Sequence, residues 1–166
     1  MKKNTFALAS AVLGLFLSVA TYAATTGTLH LEGRIRQLVS IVVTSVSPAT
    51  SLDLTTTASS LKVADVQEIS NSQTGYRVTL VSANAGNLRN KAADGRTIKD
   101  IAYSASYDGQ SVTLSTSPQE ITRYVNATGQ PSSLTKSFNI SYTGQPEESL
   151  PSGTYQDDLT FEIAAT

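Results

Sequence analysis

Residues 28–35 carry the most regular hydrophobic pattern in the chain. Strict alternation of apolar or small residues with polar ones over this stretch predicts a β-strand with one apolar face. The residues that follow, 36–37, are Arg and Gln rather than the Gly, Asn, Asp or Pro favoured at a hairpin reversal. We therefore expect this strand to enter a groove elsewhere, most simply on another copy of the protein. The residues on its apolar face are Leu29, Leu31, Gly33 and Ile35.

The rest of the chain has the pattern of an all-β domain. Leu38–Val46 is almost continuously apolar, which is typical of a strand buried on both faces, and Ser47–Pro48 ends it. Asp108–Gly109 is the strongest hairpin signal. About seven regularly spaced strands suggest an antiparallel sandwich of the immunoglobulin type. Strand patterns cover 38–46, 76–81, 101–107, 112–114, 121–125, 134–142 and 155–165, with weaker patterns at 52–54 and 63–69 and a Thr/Ser-rich loop at 55–60.

The predicted last strand, Tyr155–Ala165, runs almost to the end of the chain. We expect no later strand to cover its outer edge, which would leave unpaired amides suited to strand addition by another chain. If residues 28–35 were added to such an edge, each of the large apolar side chains Leu29, Leu31 and Ile35 would contribute about 1.5–3 kcal/mol when fully buried. That gain is substantial beside the roughly 5–15 kcal/mol that stabilises a whole domain. The alternative is that residues 28–35 are the ordinary first strand of a complete sandwich.

Residues 1–23 have the features of a secretory signal peptide. Lys2 and Lys3 precede an apolar run that is too short to span a bilayer comfortably, and small residues follow it. An uncleaved anchor is the alternative. Cleavage after Ala23 or Ala24 would leave an exported chain without a membrane span, organised as an extension (24–37) and a domain (38–166).

Composition narrows the possible partners and chemistry. The formal net charge is −1, and no basic cluster suggests nucleic acid or an anionic membrane surface. Cysteine is absent, which excludes disulfides and thiolate metal sites.

Candidate catalytic groups are sparse. His30 is the only histidine, and a lone histidine forms neither a metal site nor a catalytic pair. Asp157 and Asp158 are neighbours on a predicted strand, so their side chains point to opposite faces. We expect no catalytic residue, cofactor or metal ion, and an enzyme is the least favoured class. Seven tyrosines are numerous enough for a sugar-binding patch, but four lie in strand patterns and are predicted to be structural: Tyr76, Tyr103, Tyr107 and Tyr142.

The chain resembles a fimbrial (pilin) subunit of the bacterial chaperone–usher pathway. The resemblance rests on a signal peptide followed by a short alternating extension, in which Gly33 stands between apolar positions. The terminal segment 150–166 is similar to the family's closing strand, and Gly153 lies where many members have a glycine. Many members have a disulfide and a penultimate tyrosine, whereas this chain lacks Cys and has Ala165. The cysteine-free pilin and capsule-like branches therefore fit better, and spore-coat-U-like secreted proteins share the pattern.

The resemblance implies an incomplete immunoglobulin-like antiparallel β-sandwich, completed by a donor strand from a neighbouring subunit. A periplasmic chaperone would lend a strand first, and at an outer-membrane usher the extension of the next subunit would replace it. The product would be a head-to-tail homopolymer at the cell surface that supports adhesion. The donor positions would be Leu29, Leu31, Gly33 and Ile35. The edge of the acceptor groove would be formed by Ile41, Val43, Tyr155, Leu159, Phe161 and Ile163.

The sequence is also compatible with two other classes of function. The first is an adhesive subunit or an independent secreted domain that binds a sugar or a host receptor. The second is an enzyme built on the same sandwich.

Overall fold

The computed structural model describes residues 26–92 and 94–166, so the predicted signal peptide lies outside the described residues. The chain divides into two units, residues 1–34 and 35–166. In the first unit, residues 26–34 adopt no regular secondary structure, and the side chains of Leu29 and Leu31 are exposed. The single chain thus forms no strand at 28–35, and the insertion of this segment into another copy stays a prediction.

Residues 35–166 contain β-strands and two short 3₁₀ helices, Ser47–Thr50 and Glu147–Ser149. Within the described residues there is no α-helix, and no helix is long and apolar enough to cross a membrane. The strands are β1 (Val39–Ser45), β2 (Ala58–Ser70), β3 (Gly75–Ser82), β4 (Asn87–Lys91), β5 (Thr97–Tyr107), β6 (Gln110–Val112), β7 (Gln119–Val125), β8 (Ser132–Tyr142), β9 (Tyr155–Gln156) and β10 (Leu159–Ala165).

The strands form two antiparallel sheets, which confirms the all-β prediction. The larger sheet has the order β1-β2-β8-β5-β4-β9, with β6 paired to β5, and it is strongly curled into a half-barrel. The smaller sheet has the order β10-β3-β7. The hydrophobic core lies where the two sheets face each other, with Val66 and Phe138 from the larger sheet and Leu80 from the smaller one.

A buried carboxylate joins the two sheets. Glu68 on β2 is fully buried, and it accepts hydrogen bonds from the hydroxyls of Tyr76 on β3 (2.8 Å) and Tyr107 on β5 (2.5 Å). The Nζ atom of Lys136 on β8 lies 3.0 Å from the same carboxylate and donates to Thr122 on β7. A buried charge is tolerated only when it is paired and hydrogen-bonded. This cluster, called the Glu68 network below, therefore fixes five strands relative to one another.

The predicted hairpin at Asp108–Gly109 is confirmed. Both residues have positive φ (49° and 79°), and Tyr107 pairs with Gln110 across the turn. A two-residue turn with positive φ at both central positions is the hairpin that matches the twist of the flanking strands.

The predicted strands differ from the observed ones in several places. The 38–46 strand is an edge strand whose C-terminal half is exposed, rather than one buried on both faces. Residues 52–54 form no strand, whereas β2 begins at Ala58, inside the predicted loop. The β4 strand was not predicted, because its polar residues, including the buried Asn90, hide the alternation. The predicted 155–165 strand is divided into β9 and β10, which belong to different sheets.

Replacing Glu68 by Ala is expected to destabilise the domain by about 3–5 kcal/mol, because it leaves the mostly buried Lys136 ammonium without its counter-charge. Urea unfolding followed by circular dichroism measures the effect. Glu148→Ala is the matched control, since Glu148 is exposed, and its effect should stay within about 0.5 kcal/mol. Equal effects of the two substitutions would contradict a structural role for the network.

Candidate functional site

Two strand edges face each other without being paired. β1 pairs with β2 and β10 pairs with β3, each along one side only. Within residues 26–92 and 94–166, no strand pairs with the other side of either one. Cα atoms of β1 and β10 come within 8 Å of each other, yet the two strands share no ladder. The opening between them, called the β1/β10 groove below, exposes backbone donors and acceptors along both sides.

The inner face of each edge strand is apolar. Residues that are directly opposite across a ladder share a face. Val43 lies opposite the fully buried Val66, so it points toward the core, yet it is 46% exposed. On β10, Phe161 lies opposite the buried Leu80, and its ring makes an edge-to-face contact with Phe138 at 5.3 Å between centroids. The groove therefore opens directly onto the hydrophobic core.

An open cavity of about 190 Å³ lies between the end of β1 and the start of β10. Pockets for drug-sized ligands occupy roughly 300–1,000 Å³, whereas an apolar cavity of about 150 Å³ accepts a benzene-sized group. This cavity therefore suits a large apolar side chain better than a complete ligand. Its lining residues are Val43, Ser45, Ala49, Leu52, Val63, Ala64, Leu88, Tyr103, Phe138, Ile140, Asp157, Leu159 and Phe161.

Most of the predicted acceptor residues lie at this groove. Val43, Leu159 and Phe161 line the cavity, Ile41 packs against the core, and Ile163 lies on the inner face of β10 opposite Val78. Tyr155 is the exception. It belongs to β9 and pairs with Asn90 of β4, because the chain crosses from one sheet to the other between β9 and β10. Its assignment to the same edge as β10 is therefore corrected.

The predicted donor residues are exposed in the single chain. The exposed fractions are 79% for Leu29, 82% for Leu31 and 89% for Ile35. An added Cβ at Gly33 meets no atom within 4 Å, so local packing in this chain does not require a glycine there.

Gly153 has a local structural role. Its φ is +140°, a conformation that favours glycine. A Cβ at this position would lie 2.9 Å from Nδ2 of Asn90, which donates to the carbonyls of Pro151 and Ser152. Gly153 thus permits the close approach that fixes the turn before β9.

The edges that face the groove differ from the opposite edge of the smaller sheet. β1 contains no charged residue, and β10 contains only Glu162. At the other edge, β7 follows Pro118 and carries an exposed ion pair between Glu120 and Arg123 at 2.9 Å. Proline and charge are the usual protection of an edge strand against pairing. Protection is thus present at β7 and absent from β1.

Asp157 fixes the start of β10. Its carboxylate accepts hydrogen bonds from the Ser82 hydroxyl (2.5 Å), the Asn84 amide (2.8 Å) and the Tyr103 hydroxyl (2.7 Å). Asp158 is exposed, as expected for neighbours that point in opposite directions. Asp157 and the Glu68 network were missed as structural sites. The burial of Glu68 could have been predicted from the sequence, because Glu68 lies an even number of residues from the buried Ala64 and Val66 and therefore on the same face of β2.

Residues considered for chemistry do not assemble into a reactive site. His30 is exposed, with only Glu32 near it at 3.8 Å. Tyr76, Tyr103, Tyr107 and Tyr142 are buried, as predicted for structural residues. Among the described residues, no three His, Cys, Asp or Glu side chains are grouped as metal ligands. A second cleft, of about 490 Å³, lies between residues 35–37 and the 71–74 turn, and Arg36 is its only charged lining residue.

No protein-family model matches this chain, and no curated protein is significantly similar to it. The functional interpretation is therefore based on the geometry of the β1/β10 groove.

Replacing Asp157 by Ala is expected to destabilise the domain by about 2–3 kcal/mol, because buried hydroxyl and amide donors lose a charged acceptor. Hydrogen exchange should also become faster in β10. Asp158→Ala is the control, since only its backbone carbonyl is engaged, with the amide of Ala83. Similar exchange in the two variants would contradict the role of Asp157.

Alkaline pH is expected to destabilise the domain. Burial, reinforced by the neighbouring carboxylates of Glu68 and Asp157, raises the pKa values of Tyr76, Tyr103 and Tyr107. The unfolded chain, with tyrosine pKa values of about 10, releases these protons first. Stability is therefore fully present below about pH 10 and is lost as pH rises above it.

Urea midpoints measured from pH 7 to pH 11 test this expectation. The midpoint should fall above about pH 10, and the fall should be smaller in Tyr103→Phe. An unchanged midpoint at the highest pH would contradict it.

Proposed function

We propose that this protein is a structural subunit of a bacterial surface fimbria or capsule-like fibre. Residues 28–35 of one copy insert between β1 and β10 of the next copy and complete an immunoglobulin-like sandwich. The supporting observation is the pair of uncovered, mostly uncharged edges that open onto the core, together with an exposed alternating segment in the same chain.

The lengths of donor and groove agree. An extended strand rises about 3.3 Å per residue, so an eight-residue donor spans roughly 26 Å. β1 and β10 each contain 7 residues and therefore span roughly 23 Å. The donor is thus long enough to form ladders along most of both edges, once β1 and β10 have moved from within 8 Å to about 9.4–9.8 Å apart.

Insertion buries side chains that are exposed in the single chain. Leu29, Leu31 and Ile35 would leave water, each contributing about 1.5–3 kcal/mol if fully buried. The inserted backbone would also pair with the free amides and carbonyls of two strands. Gly33 would allow the donor backbone to approach closely where the groove is shallow.

Hydrogen bonds at the base of the extension favour a second copy over self-insertion. Asn71 donates to the Arg36 carbonyl (2.9 Å) and accepts from the Leu38 amide (2.6 Å). These bonds hold residues 36–38 against the 71–74 turn. A return of residues 28–35 along β1 would require a reversal in this same short segment, which contains no turn-forming residue.

Assembly would follow export. A periplasmic chaperone would occupy the groove until, at an outer-membrane usher, the extension of the next subunit replaces its strand. The fibre would support adhesion to surfaces or host cells. A dedicated sugar-binding role has less support, because the 490 Å³ cleft has no aromatic lining residue on which a sugar ring can stack.

Leu31→Asp is expected to reduce the ratio of polymer to monomer by at least about tenfold, because a carboxylate would be buried in the groove without a partner. Thr28→Asp is the control, since position 28 lies on the polar face. The measurement is the ladder of multiples on a denaturing gel, with and without boiling. Equal loss in both variants, or a wild-type chain that stays monomeric, would refute the proposal.

A further inference from the structure

The outer surface of the β1/β10 groove carries a single charged side chain. The outward residues of β1 are uncharged, and those of β10 are Thr160, Glu162 and Ala164. Glu162 is exposed, and in the part of the chain described here no basic group lies within ion-pair distance of it. A strand inserted at this edge therefore meets one unpaired carboxylate.

The next strand adds a second charge to the same surface. Arg77 of β3 lies directly opposite Ala164, and Thr79 lies opposite Glu162. Arg77 is exposed and lines one surface depression together with Ala164 and Glu162. Glu120 of β7 also lies close enough for its pKa, which is lowered mainly by Arg123, to be lowered by Arg77 as well. Along β10, the surface thus presents a negative position at Glu162 and, two residues later, a positive position beyond Ala164.

The polar face of the donor carries the complementary pair at the same spacing. Glu32 and Arg34 are two residues apart on this face. Residues i and i+2 of a strand lie about 6.6–6.8 Å apart on one face, so the two patterns can be superimposed.

We propose that these charges set the register and direction of the inserted strand, an inference that rests on the proposed function. Arg34 of one copy lies directly opposite Glu162 of the next. Glu32 lies opposite Ala164 and reaches Arg77 across it. Both pairs form at once only if the donor runs antiparallel to β10.

Other alignments place like charges together. In a parallel strand with Arg34 opposite Glu162, Arg36 falls opposite Ala164, beside Arg77. In an antiparallel strand, a slip of two residues places Glu32 opposite Glu162, or Arg34 beside Arg77. A slip of one residue turns the apolar face of the donor toward water.

The proposed register also assigns the apolar positions. Ile35 lies opposite Phe161, at the 190 Å³ cavity, Gly33 lies opposite Ile163, and Leu31 lies opposite Ala165. Leu29 lies past the end of β10, so in this register Leu31 and Ile35 are the large side chains buried against that strand. The position without a side chain thus meets a half-buried isoleucine, and the 190 Å³ cavity receives a branched side chain.

Cross-linking tests the register directly, because the chain contains no cysteine of its own. The double variant Arg34→Cys/Glu162→Cys should form disulfides between copies in the assembled fibre and give a covalent ladder on a non-reducing gel after boiling. Directly opposite residues have Cβ atoms about 4.5–5.5 Å apart, close to disulfide geometry, whereas diagonal ones are about 7–8 Å apart. Glu32→Cys/Glu162→Cys, the slipped register, should give little covalent ladder.

Charge reversal tests whether these charges determine the register of the inserted strand. Glu162→Arg and Arg34→Glu should each lower the ratio of polymer to monomer about three- to tenfold at low salt, and the double variant should restore it within about twofold. Added salt should reduce all these differences. Glu148→Arg makes the same charge change on the exposed 3₁₀ helix and should have no effect.

The outcomes separate the register from the polymer itself. A ladder that Leu31→Asp abolishes but the charge reversals leave unchanged would overturn the charge-set register and leave the fibre subunit standing. Stronger cross-linking of Glu32→Cys/Glu162→Cys would do the same. Absence of any ladder in the wild-type chain would overturn both.

Discussion

The fold depends on the need to compensate a charge that has been removed from water. Glu68 is fully buried, and the groups that satisfy it come from Tyr76, Tyr107 and Lys136. Because Tyr76 belongs to the smaller sheet and the other two to the curled sheet, the carboxylate fixes the separation of the sheets. The apolar core around Val66 and Phe138 then packs between the two sheets that the Glu68 network holds together.

The two sheets are connected by this network at five strands, but they are not connected at the β1/β10 groove. The Glu68 network includes β2, β3, β5, β7 and β8, but it does not reach β1 and β10 by hydrogen bonds. Asp157 instead fixes the start of β10, through Ser82 and Tyr103. β1 is held by its ladder with β2, and no ladder joins it to β10. Where their Cα atoms lie within 8 Å of each other, the two edges must separate to admit a strand, because the strands on either side of an inserted one lie about 9.4–9.8 Å apart.

The proposed function therefore depends on the shape of the β1/β10 groove and on the exposed side chains of the extension, rather than on reactive groups. Ionisable side chains that are buried here satisfy each other, and the apolar side chains of the extension are exposed. Strand addition uses backbone hydrogen bonds for affinity and alternate side chains for specificity. On this view Glu162, the only charge on either groove edge, is the natural place for specificity to be encoded.

The sequence by itself determined the all-β class, the hairpin at Asp108–Gly109 and most strand positions, because these follow from periodicity of two and from turn residues with positive φ. It also placed Val43, Leu159 and Phe161 on apolar faces. These are local properties of the chain.

Only the tertiary structure decided which faces remain uncovered. Whether β1 is a central or an edge strand depends on its neighbours, so its apolar run predicts a strand buried on both faces although it lies at an edge. The crossing of the chain between Tyr155 and β10 depends on Asp157 meeting donors 54 to 75 residues away. Burial of Glu68 likewise depends on partners from three other strands. The local periodicity of the sequence does not indicate which distant residues will come into contact.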